Sequence, residues 1–248
     1  MSRDGKYLYC IINENDGRNF GPMGIGGRGD IVSTIGFNDI SAVISNTPMT
    51  RYVISRENLT QHEKVIETVM KEYTILPVRF CTIADGAEEI RTLLRKRYSE
   101  FKGLLRDMDN KIEMGVKGYW KEMPQVFQEI DQGDSSVQGL KEECERWPED
   151  KNIKGELGKA VEKALSLKKA EESWTLVNRL RRISVDVKEK EPRTDPMVFN
   201  VACLIDRTRE REFDYLIDEL AEKHGERFSF SYVGPAPPFH FVNIEIKA

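Results

Sequence analysis

The chain has 248 residues, with 38 Lys or Arg against 42 Asp or Glu, so its formal net charge is −4. This length suits one large or two small domains, and the acidic balance argues against nucleic acid as the main partner, since that role favours a concentrated basic face. The sequence has no apolar run near the roughly 20 residues that span a bilayer, and its start lacks a signal-peptide core. We therefore predict a cytoplasmic protein with no membrane partner.

The first half of the chain is predicted to mix strands and helices. Aromatic and β-branched residues predict a strand at 6–12, and five glycines within residues 21–29 predict a mobile surface loop. Residues 31–36 and 40–45 predict a strand pair with a turn at 37–39. The next predicted elements are a helix at 55–73 capped by Ser55, a short edge strand at 76–80 containing Pro77, and a helix at 87–108.

The second half is predicted to follow a different order. Residues 112–120 alternate as a half-exposed strand does, residues 131–136 form a polar break, and residues 137–154 predict short helix or loop. The remaining predicted elements are a helix at 154–180, a strand at 183–187, a polar turn at 189–196, a strand at 198–205, a helix at 208–224, and strands at 228–233 and 241–246.

We therefore predict an α+β fold with two domains. Residues 1–110 form an N-terminal α+β domain. From 112 to 233 the order is strand, helix, strand, strand, helix, strand, which predicts a C-terminal ferredoxin-like (βαββαβ) domain with helical insertions. Residues 111–248 form this second domain, which includes a proline-rich segment and the last strand.

The sequence offers few residues for catalysis or for a cofactor. Four cysteines and three histidines show no metal-ligand spacing, and Asp30 follows the glycine loop where a phosphate site would need a cation. Cys81 lies near Arg79, and His62 lies on an apolar helix stripe, but no pattern places a base beside the thiol. We predict no catalytic, cofactor-binding or metal-binding residue.

Two segments stand out, residues 75–82 and residues 234–242. Each sets proline beside aromatic and apolar residues where a strand is entered or interrupted. Arg79 lies between two apolar residues of the first segment, and two interpretations of its charge remain open. It is an edge-strand charge that discourages pairing between sheets, or a cation that anchors a loop or a partner carboxylate. The prolines of the second segment fix the backbone and hold the last strand away from the preceding one.

These segments resemble the signature stretches of the gas-vesicle GvpF/GvpL family. Residues 76–82 (LPVRFCT) are similar to its LPVRFGT motif, and residues 234–242 (GPAPPFHFV) to its GPWPPYSFV motif. Residues 6–12, 40–45 and 113–120 resemble its opening strand, its AVVS strand and its E…VK…W strand, in the same order. The chain departs from the family's residues at Cys81, Ala236, Phe239 and His240. The shared positions, which are candidates for partner binding, are Leu76, Pro77, Arg79, Phe80, Gly234, Pro235, Pro237, Pro238 and Phe241.

The resemblance implies a non-enzymatic accessory protein of gas vesicle assembly, located in the cytoplasm and at the gas vesicle. Such a protein binds the hydrophobic shell protein GvpA and other accessory proteins. The resemblance also implies contact through the N-terminal domain, which we expect near residues 76–80 and the strands 7–12 and 40–45. Two alternatives remain open: a ligand- or nucleotide-sensing regulatory module, a role common among ferredoxin-like domains, and an enzyme that uses Cys81 or His62.

Overall fold

The computed structural model describes residues 4–242 and residue 244. These residues divide into two compact units. The first unit combines the described residues up to Glu113 with those from Pro235 onward, and the second is Met114–Gly234. No helix in this described part of the chain has the length and apolarity needed to cross a membrane.

The first unit is built on a six-stranded sheet. Its strands are β1 (Asp4–Ile12), β2 (Asn19–Gly21), β3 (Val32–Phe37), β4 (Ile40–Pro48), β5 (Ile75–Pro77) and β6 (Ile83–Ala84). The order across the sheet is β2-β3-β4-β1-β5, and β6 also pairs with β1. β1 pairs antiparallel with β4 on one side and with β5 and β6 on the other. This central position explains why β1 is apolar and buried from Tyr7 to Ile12.

Helices cover both faces of this sheet. They are α1 (Arg56–Met70), α2 (Ala87–Lys96) and α3 (Tyr98–Asp107). Leu8 and Ile11 of β1 pack with buried residues of α2 and α3, whereas Tyr7 and Tyr9 pack with buried residues of α1. A register shift between Leu8 and Cys10 places Tyr9 and Cys10 in the same cluster. The first unit therefore has three layers, with the sheet between helices.

The second unit contains a four-stranded sheet and four helices. The strands are β7 (Lys111–Trp120), β8 (Asp186–Lys190), β9 (Met197–Asp206) and β10 (Phe228–Ala236). The helices are α4 (Met123–Gly133), α5 (Ser135–Arg146), α6 (Lys151–Ile183) and α7 (Glu210–His224). The strand order is β10-β7-β9-β8. The chain passes from the first unit to the second within β7 and returns within β10.

Several sequence predictions are confirmed. The fold is α+β, and β3 and β4 form the predicted pair around a two-residue turn, with Phe37 opposite Ile40. The Ser55 hydroxyl accepts a hydrogen bond from the N–H of Asn58, 3.2 Å away, as a helix N-cap does. The assignment of the second unit to the ferredoxin-like class stays a prediction.

The helix boundaries needed correction. The helix predicted at 87–108 is broken at Arg97, whose backbone is not helical. The break lets α2 pack on β3 and β4 while α3 packs on β5. α4 was not predicted, and the predicted strand at 183–187 is wrong at its start, because α6 continues to Ile183.

Two further predictions, one of a loop and one of a strand, were wrong in part. The glycine-rich loop is not simply a mobile surface segment, because Ile25 is fully buried and its N–H donates to the Tyr9 hydroxyl at 2.8 Å. The strand predicted at 241–246 is not formed by Phe241, Val242 or Ile244. Residues 243, 245 and 246 of that prediction lie outside the described residues.

Candidate partner-binding site

The first signature segment is an edge strand interrupted by a bulge. Pro77 of β5 is paired with Cys10, and the N–H of Val78 donates to the Tyr9 carbonyl at 2.9 Å. The ladder resumes at Thr82, whose carbonyl accepts from the N–H of Leu8 at 2.9 Å. Residues 79–81 therefore project out of the ladder, and we call them the edge bulge. Proline is tolerated here because an edge strand needs no donor on its outer side.

A hydrogen-bond network holds the edge bulge against β1 and α1. The His62 Nε2 atom lies 3.2 Å from the Val78 carbonyl, which can only accept, so Nε2 carries the proton. His62 Nδ1 therefore accepts from the Tyr7 hydroxyl at 3.1 Å. The Tyr7 oxygen in turn accepts from the N–H of Cys81 at 2.8 Å. This network joins residues that lie far apart in the sequence.

Burial keeps this network uncharged. His62 is 3% exposed, and loss of hydration lowers its pKa to about 4 although its bond to Val78 opposes the shift. Burial likewise raises the pKa of the Tyr7 hydroxyl. The structure thus brings Cys81 and His62 to one network, but both His62 nitrogens are already hydrogen-bonded. A histidine engaged in this way lacks the free nitrogen that a general base needs.

Aromatic rings pack around the same network. The Tyr7 ring contacts the rings of Tyr52 at 5.8 Å and Phe80 at 6.4 Å, both edge to face. Phe80 also meets the His62 ring edge-on at 5.7 Å. The N–H of Tyr52 donates to the Cys81 sulfur at 3.3 Å. The edge bulge is therefore fixed to the residues that connect β4 with α1.

The second signature segment returns to the core of the first unit. Val242 lies in the same buried cluster as Leu76 and Val78 of the first segment. The Glu113 carboxylate accepts from the N–H of His240 at 2.9 Å and from its Nδ1 at 2.5 Å. Packing thus brings the two signature segments together, and it places residues from Pro235 with the first unit, whereas the sequence interpretation put them in the second domain.

The nine shared positions differ in exposure. Four are buried: Leu76, Pro77, Pro237 and Pro238. Phe80 and Phe241 are half-buried, and three are exposed: Arg79, Gly234 and Pro235. The side chains of residues 7–12 and 40–45 are buried. The exposed and half-buried members of this set are accessible at the surface, whereas the four buried members pack inside the first unit.

A charged network in the second unit was not predicted. Arg227 donates to Glu129 through both Nη atoms, at 2.8 and 2.7 Å, and to Glu172 at 2.7 Å. The Trp120 indole N–H also donates to Glu172 at 2.8 Å. The Arg227 guanidinium lowers the pKa of Glu129 to about 2. Arg227 and the two glutamates are at least 43 positions apart from one another along the chain, so no local sequence pattern signals the network.

Comparisons with known proteins agree on one family. The family model described as "Gas vesicle synthesis protein GvpL/GvpF" matches residues 5–243. Gas vesicle protein F of Nostoc sp. strain PCC 7120 is 26% identical over 97% of this chain and 98% of that protein. Gas vesicle protein F of Microcystis aeruginosa strain PCC 7806 is 27% identical over 97% of this chain and 98% of its own length. The crystal structure of GvpF from Anabaena sp. PCC7120 shares the fold, with a TM-score of 0.80 over 98% of this chain and 100% of that one, at 24% identity.

Proposed function

Because the chain belongs to the gas vesicle synthesis protein GvpL/GvpF family, we propose that it is a non-enzymatic accessory protein that binds the hydrophobic shell protein GvpA during vesicle assembly. The match of the family model to residues 5–243 is the observation that carries this proposal. Other gas vesicle accessory proteins are the further partners we propose. The proposed sites of action are the cytoplasm and the gas vesicle.

The first unit supports this role through a fixed edge of its sheet. A shell subunit that assembles through apolar faces needs a partner that covers those faces before assembly. The edge bulge offers exposed Arg79 and half-buried Phe80 on a backbone held by the His62 network. We propose that these two residues contact the partner, and that buried Leu76 and Pro77 support them.

The enzyme alternative finds little support in the geometry. Burial holds the pKa of His62 at about 4, and both of its nitrogens are hydrogen-bonded. For the ligand-sensing alternative, the candidate binding site is a cleft of about 430 Å³ between α6 and residues 189–195. Side chains of both charges line this cleft. Its lining includes Glu162, Lys169, Glu191 and Arg193, which gives no clear preference for a nucleotide.

The test is co-purification of the whole chain with GvpA after co-expression. A fragment ending at residue 110 is unsuitable, because it lacks Glu113 and the Val242 side chain that completes the buried cluster. We expect the affinity-tagged whole chain to retain GvpA through washing. A folded chain that retains no GvpA would contradict the proposal, and a thermal midpoint raised by ATP or GTP would instead support the sensing alternative.

A further inference from the structure

Two neighbouring apolar residues of the first unit are left in water. Val53 and Ile54 are 76% and 77% exposed, whereas the apolar side chains of the adjoining strands are buried. They lie between the end of β4 and the start of α1, and we call them the apolar tip. Single exposed apolar residues are common on protein surfaces. Val53 and Ile54 are adjacent and both largely exposed, so they are not an isolated case of this kind, and contiguous exposed apolar surface marks interaction sites.

The apolar tip is presented on a fixed backbone. The hydroxyl of the preceding residue, Tyr52, is hydrogen-bonded with Thr47 at 2.8 Å, and its N–H donates to the Cys81 sulfur. The Val53 carbonyl accepts from the Asn58 side-chain amide at 3.0 Å. Contacts on both sides therefore restrict the segment before any partner binds. Such restriction lowers the entropy that binding must overcome.

Basic side chains flank the apolar tip. Arg51 and Arg56 are both exposed, and Glu57 is the only acidic residue within 49–57. Arg79 is exposed on the edge bulge, two residues before the Cys81 sulfur that holds Tyr52. Residues 49–57 thus carry a net charge of +1 in a chain whose net charge is −4. A partner with carboxylates around an apolar patch is complementary to this arrangement.

We propose that the apolar tip inserts into an apolar groove of a partner protein whose rim carries carboxylates, paired with Arg51 and Arg56. The inference deepens the proposed function and rests on it, since it makes GvpA the occupant of this surface. A protein groove is favoured over an anionic lipid surface, because the tip contains only two apolar side chains and the whole chain is acidic.

The experiment uses the whole chain with GvpA as the probe. The test variant is Val53→Ser with Ile54→Ser. The matched control is Leu167→Ser with Val185→Ser, which removes two similarly exposed apolar side chains from the second unit. We expect the test variant to lose at least about tenfold in GvpA affinity and the control to stay within about twofold of the unsubstituted chain. Both variants should keep the far-UV circular dichroism spectrum, because all four side chains are exposed.

The salt dependence of GvpA binding tests the proposed pairing of Arg51 and Arg56 with carboxylates. Raising NaCl from about 0.05 M to about 0.5 M should weaken GvpA binding to the unsubstituted chain several-fold, since it screens exposed charge pairs. Arg51→Ser with Arg56→Ser should bind more weakly at low salt and lose most of this salt dependence. An unchanged salt dependence in this variant would overturn the proposed pairing.

The remaining outcomes separate the inference from the proposed function. If the unsubstituted chain retains GvpA and the Val53→Ser, Ile54→Ser variant retains it equally, the apolar tip is not the contact and the proposed function stands. If the folded unsubstituted chain retains no GvpA, both are overturned. Flotation with phosphatidylglycerol vesicles that depends on Val53 and Ile54, with GvpA capture unchanged, would assign the tip to lipid and overturn the inference.

Discussion

At the scale of single residues, Cys81 adopts a backbone conformation that favours glycine. Its φ is +64°, in the left-handed region, and glycine is the residue at this place in the LPVRFGT motif that the segment resembles. A side chain makes this conformation costly, by roughly 1–2 kcal/mol, whereas glycine adopts it readily. Cys81 is kept in this conformation by bonds from its own N–H to Tyr7 and from Tyr52 to its sulfur.

This strain predicts an order of stability at position 81. Cys81→Gly and Cys81→Ala both lose the sulfur, but only glycine relieves the backbone. We expect the glycine variant to have a free energy of unfolding about 0.5–1 kcal/mol higher than the alanine variant, measured by urea unfolding with circular dichroism. Cys144 within α5 is the matched control. There the alanine variant should have a free energy of unfolding about 1 kcal/mol higher than the glycine variant. An alanine variant at 81 as stable as the glycine variant would contradict this account.

His62 predicts a loss of stability in acid. Its pKa is about 4 in the folded chain and about 6.5 when unfolded. The unfolded chain therefore binds more protons between these values, and the contribution of His62 falls as the pH drops from about 6.5 to about 4. At about 1.4 kcal/mol per pKa unit, this contribution falls by roughly 3 kcal/mol.

The measurement compares the unsubstituted chain with His62→Gln, which cannot titrate. Urea unfolding is followed by the near-ultraviolet circular dichroism of the tyrosines, two of which, Tyr7 and Tyr9, have rings in contact with the His62 ring. We expect the free energy of unfolding to fall more steeply below pH 6.5 in the unsubstituted chain. Equal slopes in the two proteins would show that His62 is not held neutral by burial.

At the scale of elements, Arg227 joins segments of the second unit that lie far apart in the sequence. Its guanidinium binds Glu129 of α4 and Glu172 of α6, and Glu172 also accepts from Trp120 of β7. Arginine suits this position because its planar fork can satisfy two carboxylates at once. The second unit therefore depends on a polar junction as well as on its buried apolar side chains.

Loss of this junction should destabilise the second unit. We expect Arg227→Ala to lower the free energy of unfolding by about 1–3 kcal/mol, because both carboxylates lose a charged donor, and Arg227→Lys by less. Tryptophan fluorescence in urea is the measurement, since all three tryptophans lie in this unit. Arg181→Ala is the control, because its pair with Glu189 is exposed, and it should change stability by less than about 0.5 kcal/mol. A loss as large at Arg181 as at Arg227 would contradict the role of the junction.

At the scale of the whole molecule, the chain is not divided at one point of its sequence. The described residues from Pro235 onward pack with the first unit, so that unit is made of two separate stretches of chain. Composition and periodicity describe residues that are close in the sequence. They cannot show that a segment packs with the first unit after more than 100 residues of the second unit. This is why the predicted boundary left the second signature segment in the other domain.

The sequence by itself determined the features that depend on nearby residues. The strand pair around residues 37–39, the Ser55 cap and the edge position of Pro77 all follow from side-chain type and short-range spacing. The family resemblance likewise rests on short motifs, and the match over residues 5–243 confirms it.

Tertiary structure alone decided what distant residues form together. Only the folded chain joins Tyr7, His62 and Cys81 in one network and places Val242 beside Leu76 and Val78. It also shows that Val53 and Ile54 stay in water although their apolarity suggests burial. The physical reason is that burial and hydrogen bonding between distant segments depend on the packing of the whole chain, which local propensity and spacing do not specify.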